Sequence, residues 1–307
     1  MSRRGWLLFA VMSLIWGIPY LLIRVAVRQL SPADLVFMRT APAALILLPL
    51  AAARGELRPV VKRWALVVVY TAVEIAVPWL LLTRAEKTLT SSLSSLLVAT
   101  VPLIGAAVAR VTGATERLGL RRLAGLGVGL AGVAALVGID VHGANLGAIG
   151  EVLLVAAGYA IGPLLISRTL SDLPPLGVVA ASVTITAAAY APVMAIAPPT
   201  RISGETVAAV AGLALICTAL AFVLFFILIA EVGPVRATVI TYVNPAVAVV
   251  LGVILLGEPF TLGIGVGFSL VVVGSVLATR RGQPPGAPVV SPRDPRSAEA
   301  AASATSR

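Results

Sequence analysis

The sequence predicts an all-α integral membrane protein in which ten transmembrane helices form two inverted five-helix repeats. Three observations predict this fold class. Hydrophobic residues make up 59% of the 307-residue chain and charged residues only 12%, whereas charged residues occupy about a quarter of an average soluble domain. The apolar residues are gathered into ten separate segments. The second half of the chain also repeats the first, at a nearly constant offset.

Each apolar segment is close to the roughly 20 residues that a helix needs to cross a hydrocarbon core. The basic residues Arg3 and Arg4 before the first segment imitate a secretory signal. No small-residue cleavage site follows them, so we interpret this segment as the first helix. The predicted spans are 6–27, 33–53, 64–83, 92–111, 120–139, 147–168, 176–196, 206–229, 236–256 and 262–280.

Prolines, glycines and a glutamate recur in the same order in both halves. Because each half holds an odd number of spans, the second half must be inverted relative to the first, as in alternating-access transporters. We therefore predict a first repeat at 1–140, a second at 141–281 and, at 282–307, a disordered cytoplasmic tail rich in Pro, Ala and Ser. The matched pairs are Pro19 and Pro163, Pro32 and Pro175, Pro49 and Pro192, Pro102 and Pro245, Glu116 and Glu258, Gly125 and Gly267, and Gly132 and Gly274.

The distribution of basic residues predicts the orientation of the chain. With the N-terminus in the cytoplasm, 17 Lys and Arg residues fall on the cytoplasmic side and five on the outer side, which is the bias expected of cytoplasmic loops. We therefore predict a multi-pass protein of the cytoplasmic (inner) membrane with both termini inside. This distribution explains the net charge of +10 without a nucleic-acid partner.

The residues that most enzymes and metal sites need are scarce. The chain has one histidine, His142, and one cysteine, Cys217, so we predict no metal site and no cofactor. The loops are too short for a soluble catalytic domain, and reactive groups do not converge near a membrane face. We expect a protein that is not an enzyme and whose function lies within the helix bundle.

Several motifs resemble the EamA family of the drug/metabolite transporter superfamily. They are WGIPY at 16–20, two small-residue segments that end in proline at 94–102 and 237–245, and GEPFT at 257–261 with a weaker copy, TERL, at 115–118. The resemblance implies two inverted five-helix repeats around a substrate cavity. It also implies solute transport, often export of amino acids or other metabolites, without identifying the cargo.

Glu74 is the sharpest candidate for a functional residue. It lies almost midway between Arg63 and Arg84, the basic residues that flank its span. At a rise of about 1.5 Å per residue, this position places it near the bilayer midplane. An ionisable residue at that depth usually faces a bundle interior or a transport pathway. We predict that it binds a coupling proton; the alternative is a permanently protonated structural acid.

Arg39 is the second candidate, about a turn and a half into the second span. Its long side chain could snorkel to the outer surface, pair with Glu74, or bind a carboxylate substrate through its planar fork. Aromatic and amide side chains inside other spans are predicted to line the cavity with it. The predicted cavity residues are Trp16, Tyr20, Arg39, Glu74, Trp79, Tyr159, Tyr242 and Asn244.

Five prolines lie inside apolar spans, where each removes a backbone donor and can kink its helix. We predict a kinking or gating role for Pro19, Pro78, Pro102, Pro163 and Pro245. The favoured function is a secondary transporter of a small metabolite, with the lipid bilayer as the other partner and no prediction of oligomeric state. The alternative is a membrane sensor or interaction protein that retains a transporter scaffold.

Overall fold

The computed structural model is helical over most of the residues it describes, which are 2–111, 120–140, 145–233, 237 and 240–279. The predicted tail at 282–307 and the TERL motif at 115–118 lie outside these residues. The helices are α1 Arg3–Ala26, α2 Pro32–Ala53, α3 Leu57–Lys62, α4 Trp64–Ala85, α5 Ser91–Val98, α6 Val101–Val111, α7 Leu120–Asp140, α8 Leu146–Leu170, α9 Pro175–Ile196, α10 Gly204–Val232, α11 Ile240–Leu256 and α12 Leu262–Thr279.

Seven helical segments in the described part of the chain are long and apolar enough to cross a membrane: α1, α2, α4, α8, α9, α10 and the α5–α6 pair over Ser91–Val108. Shorter apolar stretches lie in α7, α11 and α12. Large apolar side chains such as Leu45 and Ile196 are exposed on the outer surface. An all-helical bundle with an apolar exterior is suited to lipid, where every backbone polar group must be paired within the protein.

Side-chain caps fix where several helices begin. The Ser31 hydroxyl accepts a hydrogen bond from the Asp34 N–H at the start of α2. Pro32 suits the first position of this helix, because the N–H that proline lacks would have no partner there. The Thr90 hydroxyl accepts from Leu93 N–H in the same way at the start of α5. These caps pair N–H groups that a helix leaves unpaired at its N-terminus.

Helices α7 and α12 pack against each other through glycines. A Cβ on Gly274 would lie 2.6 Å from the Gly125 carbonyl oxygen, and one on Gly132 would lie 2.7 Å from the Val271 nitrogen. Residue numbers rise along one helix as they fall along the other, so the two helices are antiparallel. Small residues let backbones approach this closely.

Two other helix pairs are antiparallel. At one end of the α1–α10 pair, Gly5 contacts Val232; at the other, Gln29 beyond α1 accepts a hydrogen bond from the Ser203 N–H. In the α4–α8 pair, Glu74 contacts Gly162. At the end of α4, Arg84 forms an ion pair with Glu151, an earlier residue of α8, at 3.0 Å.

Within the described residues, three helices contain π-helical segments, at Ala72–Ala76 in α4, Ile166–Leu170 in α8 and Gly212–Leu220 in α10. The segment in α4 holds Glu74, and the segment in α10 holds Cys217. These two residues are separated by the offset of the sequence repeat, so the two segments occupy equivalent positions in the two halves. Short π-helical segments inside α-helices are frequently found at functional sites.

The predicted proline positions divide into two groups. Pro78 lies two residues after the π segment of α4, and Pro102 follows the break between α5 and α6 at residues 99 and 100. That break divides the span predicted at 92–111, since Pro102 has no N–H to donate to the carbonyl oxygen of Val98 and instead fits the first turn of α6. Pro19, Pro163 and Pro245 lie inside continuous helices, and the gating role of all five stays a prediction.

Candidate functional site

Arg39 lies within the bundle rather than at its surface. Its side chain, on the second helix, is only 7% exposed. The Arg39 Nε–H donates to the Thr218 hydroxyl at 3.0 Å, and the guanidinium carbon lies 3.7 Å from the ring centroid of Trp79. The expectation that Arg39 snorkels outward is therefore wrong, because α4 and α10 offer a ring face and a hydroxyl that hold the cation inside.

The π segment of α10 positions Thr218 for this contact. The Thr218 hydroxyl donates to the carbonyl oxygen of Leu213, five residues earlier, at 2.8 Å. Since its proton is used there, the oxygen is left to accept from Arg39. The neighbouring Cys217 is also buried and lies within electrostatic reach of the guanidinium.

Three of the predicted cavity residues gather around Arg39. The ring of Trp79 stacks beneath the guanidinium, and the hydroxyls of Tyr20 and Tyr159 lie within its electrostatic reach. Tyr159 also packs against the small apolar cluster that contains Trp79, and it lies within electrostatic reach of Glu74. Tyr159 thus links the region around Arg39 to the second predicted functional residue.

Glu74 is held in the π segment of α4 and faces α8. A Cβ on Gly162 would overlap its carboxyl oxygen Oε2, so the glycine provides the space that the carboxyl group occupies. That oxygen is buried and has no hydrogen-bond partner among the described residues. The ion pairs of the described chain are Arg63–Asp172 and Arg84–Glu151. The hypothesis that Arg39 pairs with Glu74 is therefore wrong for this arrangement of the helices.

The other predicted cavity residues make contacts between helices. The Trp16 ring packs against Phe225 and Phe222 of α10, at centroid distances of 4.6 and 6.0 Å. The Asn244 amide, with its nitrogen placed to donate, reaches the carbonyl oxygens of Ser13 and Ile240 at 3.1 and 2.9 Å. Tyr242 is half-buried on α11. A cavity role for Trp16, Tyr242 and Asn244 stays a prediction.

Glu86 is a buried acid that the sequence did not single out. It directly follows α4, is 0% exposed, and neither of its carboxyl oxygens has a hydrogen-bond partner among the described residues. Burial raises the pKa of Glu86 well above its usual range, and Glu258 raises this pKa further, while Arg24 and Arg39 oppose the shift. Glu86 lies between Arg84 and Lys87 in the sequence, and such a run of charged residues is typical of a solvated loop. No pattern in the sequence therefore indicates that Glu86 is buried.

We expect Glu86→Gln to stabilise the protein more at pH 8 than at pH 5. Because the folded pKa is raised, the folded state must retain a proton that the unfolded chain releases above its ordinary pKa of about 4.3. Stability is therefore lost as the pH rises, and glutamine removes that loss. The midpoint of thermal unfolding in nanodiscs should rise by several degrees at pH 8, since each kcal/mol corresponds to roughly 2–4 °C.

Glu205→Gln, at the exposed start of α10 near the same end of the bundle, is the matched control for that measurement. It should show no gain that grows with pH. An equal effect of Glu86→Gln at both pH values would contradict the prediction.

The sequence profile of the EamA-like transporter family matches residues 3–138 and again residues 147–280. Together the two matches cover most of the chain. The chain belongs to the EamA-like transporter family. Members of this family are membrane transporters, so the protein is embedded in a lipid bilayer and handles small solutes.

Relatives of this EamA protein agree with that assignment. An "uncharacterized inner membrane transporter YedA" of Escherichia coli (strain K12) is 31% identical over 297 residues, which span 93% of this chain and 94% of the relative. An "uncharacterized transporter" of Archaeoglobus fulgidus is 25% identical over 92% of this chain and 99% of its own length. A solved crystal structure superposes with a TM-score of 0.63 at 21% identity, covering 91% of this chain and 98% of the other. This last likeness concerns the fold alone.

The structure shows what the residues of the GEPFT motif at 257–261 do. Gly257 has a φ of 66°, which turns the chain sharply after α11. The Glu258 carboxylate then accepts hydrogen bonds from Ser91 N–H at 2.7 Å and from Ser92 N–H at 3.0 Å. Thr261 in turn caps α12 by accepting from Ile264 N–H. The motif thus ends α11, caps the start of α5 and begins α12.

Proposed function

We propose that this EamA protein is a secondary transporter that exports a small metabolite, an amino acid or a related compound, across the inner membrane by alternating access. The observation that carries the proposal is the presence of two ionisable residues inside an apolar helix bundle: Arg39, which is buried, and Glu74, which is half-buried and whose carboxyl oxygen Oε2 is buried without a partner among the described residues. Ionisable residues at such depth are costly and usually mark a substrate or ion pathway. Family membership supports the same conclusion.

An architecture of ten spans in two inverted repeats underlies this proposal. Two hydrogen bonds join equivalent positions of the two halves. The Thr206 hydroxyl donates to Gln29 at 3.0 Å, and Arg63 donates to Asp172 at 2.9 Å. At the offset of the repeat, Asp172 corresponds to Gln29, and Thr206 corresponds to Arg63. At the same offset, α1 corresponds to α8 and α4 corresponds to α10, so the antiparallel pair α1–α10 is equivalent to the antiparallel pair α8–α4. Two successive matches to one family profile also support repeats at 1–140 and 141–281.

Closure of the centre supports alternating access. Arg39, Trp79 and Tyr20 are all buried, so a solute can reach them only if helices move apart. Two surface clefts lie near opposite ends of α10. One is lined by Glu56 and Phe226, among others, and the second by residues that include Glu205. Neither cleft contains Arg39 or Glu74.

Glu74 is the proposed site of proton coupling. Its unpartnered oxygen faces α8, and the π segment that carries it lies at a position where the repeat places a second π segment. Gain and loss of a proton would change the charge of the centre as the two halves move. In the proposed orientation both termini are cytoplasmic, because the basic residues concentrate on that side.

Flux measurements in proteoliposomes test the proposal. We expect wild-type protein to move at least one metabolite from a broad panel, faster with a proton gradient than without one. Glu74→Gln should lose this dependence on the gradient, whereas Glu151→Gln, which alters the acid paired with Arg84 nearer the surface, should keep it. No flux under any gradient would overturn the transporter proposal. An unchanged pH profile in Glu74→Gln would overturn only the coupling role.

A further inference from the structure

Arg39 is a buried cation for which the described chain supplies no directly paired anion. Its Nε–H is used by Thr218, while no hydrogen bond from either Nη group to a described residue is found. Neither of the ion pairs of the described chain involves it. Isolated burial of a charge is costly unless the charge is paired and hydrogen-bonded. The two Nη groups of Arg39 are therefore available to donate hydrogen bonds to a ligand.

The neighbours of Arg39 do not neutralise it. Trp79 offers only its ring face, and Tyr20, Tyr159 and Cys217 are neutral in their ordinary protonated forms. The acid within electrostatic reach is Glu86, which burial and Glu258 bias toward the neutral carboxylic acid by raising its pKa. The guanidinium thus has no anion of the described chain in direct contact with it, and a buried cation in that position favours an anionic ligand.

We infer that Arg39 binds an oxyanion of the cargo, most simply a carboxylate, through its two Nη groups. The inference rests on the proposed transport function and names the chemical class of its substrate. The planar fork of a guanidinium matches the two oxygens of a carboxylate. Because Trp79 covers one face, the anion approaches in the plane of the guanidinium.

The surroundings also define the rest of the cargo. Trp79 covers one face of the guanidinium, and Tyr20 and Tyr159 lie within its electrostatic reach. All three lie among apolar side chains. A small organic acid or amino acid with a compact body fits this chemistry. A cargo that is purely cationic does not fit it, since Arg39 would repel its charge.

Matched ligand pairs test the inference on the wild-type protein. Any metabolite that the flux screen identifies is compared with its carboxamide, which keeps the shape and loses the charge. Binding to protein in nanodiscs is followed by tryptophan fluorescence, because Trp79 lies directly under Arg39. We expect the carboxylate to bind at least about tenfold more tightly than the amide, as charge-assisted hydrogen bonds are lost.

Variants of Arg39 supply the second readout. Arg39→Gln should abolish the preference for the carboxylate, and Arg39→Lys should reduce it, because lysine keeps the charge but lacks the fork. Arg84→Gln, at a partly exposed arginine, should leave the preference unchanged. If the Arg39 variants do not fold, the comparison of each carboxylate with its amide in wild-type protein still tests the inference, because equal binding of the two overturns it.

The outcomes separate this inference from the proposed function. Flux of a cargo that binds equally well as carboxylate and as amide, or that lacks an oxyanion, overturns the inference and leaves the transporter intact. Flux of no metabolite at all overturns the proposed function, and the inference falls with it. A carboxylate preference that survives in Arg39→Gln also overturns the inference, since the anion would then be bound elsewhere.

Discussion

Replacement of Glu258 by alanine is expected to destabilise the folded protein by about 3 kcal/mol, because it leaves buried donors without a partner. The carboxylate accepts from the backbone N–H groups of Ser91 and Ser92 and from the Ser92 hydroxyl at 2.5 Å. All three donors are buried. Each such orphaned donor costs about 1–3 kcal/mol, and the negative charge also complements the N-terminal end of the α5 dipole. We expect lower yield and a lower midpoint of thermal unfolding in nanodiscs.

Two further variants separate the effect of the Glu258 charge from the effect of removing any acid. Glu258→Gln should recover part of the loss, because an amide oxygen can accept from one N–H but cannot replace the charge-assisted second bond. Glu231→Ala removes an exposed acid that accepts from the Ser2 hydroxyl and should cost much less. Equal stability of Glu258→Ala and Glu231→Ala would show that the cap contributes little.

Gly274→Ala is expected to force α7 and α12 apart and to destabilise the protein by about 2 kcal/mol, a cost typical of overpacking. The added Cβ would overlap the Gly129 backbone and lie 2.6 Å from the Gly125 carbonyl oxygen. Backbone atoms of a packed helix cannot move aside singly, so the whole α7–α12 contact must shift. Thermal unfolding in nanodiscs and the yield of folded protein measure the effect.

Gly127→Ala is the matched control because no atom lies within 4 Å of a Cβ at that position. This change should be neutral or stabilising by up to about 1 kcal/mol, since alanine favours the helix over glycine. The two substitutions are chemically identical and lie in the same helix pair. A similar effect of both would mean that close backbone approach does not hold α7 against α12.

Helix positions follow from hydropathy, and they are predicted within a few residues. The spans expected at 33–53 and 176–196 correspond to α2 at Pro32–Ala53 and α9 at Pro175–Ile196. The start of each helix is marked locally by proline, and that of α2 also by a serine cap, so the sequence near it suffices. Hydropathy did not predict the break between α5 and α6, because apolar composition continues across it, and only Pro102 indicated a kink there.

The surroundings of the ionisable residues could not be predicted in the same way. Arg39 and its partner Thr218 are far apart in the chain and meet only across α2 and α10, and sequence patterns near Arg39 permit an outward or an inward side chain equally. Glu86 lies beside Arg84 and Lys87, which suggests solvent, yet packing of α1 and of the segment around Glu258 buries it. Such features depend on which helices meet, and hydropathy carries no information about that.

Composition and hydropathy were enough to predict an apolar helical bundle, because the local cost of polar groups in lipid acts on each segment separately, and the motifs from WGIPY at 16–20 to GEPFT at 257–261 were enough to indicate the EamA family. Tertiary packing alone places Trp79 beneath Arg39, Gly162 against Glu74 and Glu258 at the start of α5. These contacts join residues from different helices, and their energies arise from distances that exist only once the helices have packed. The candidate site is therefore a property of the assembled bundle.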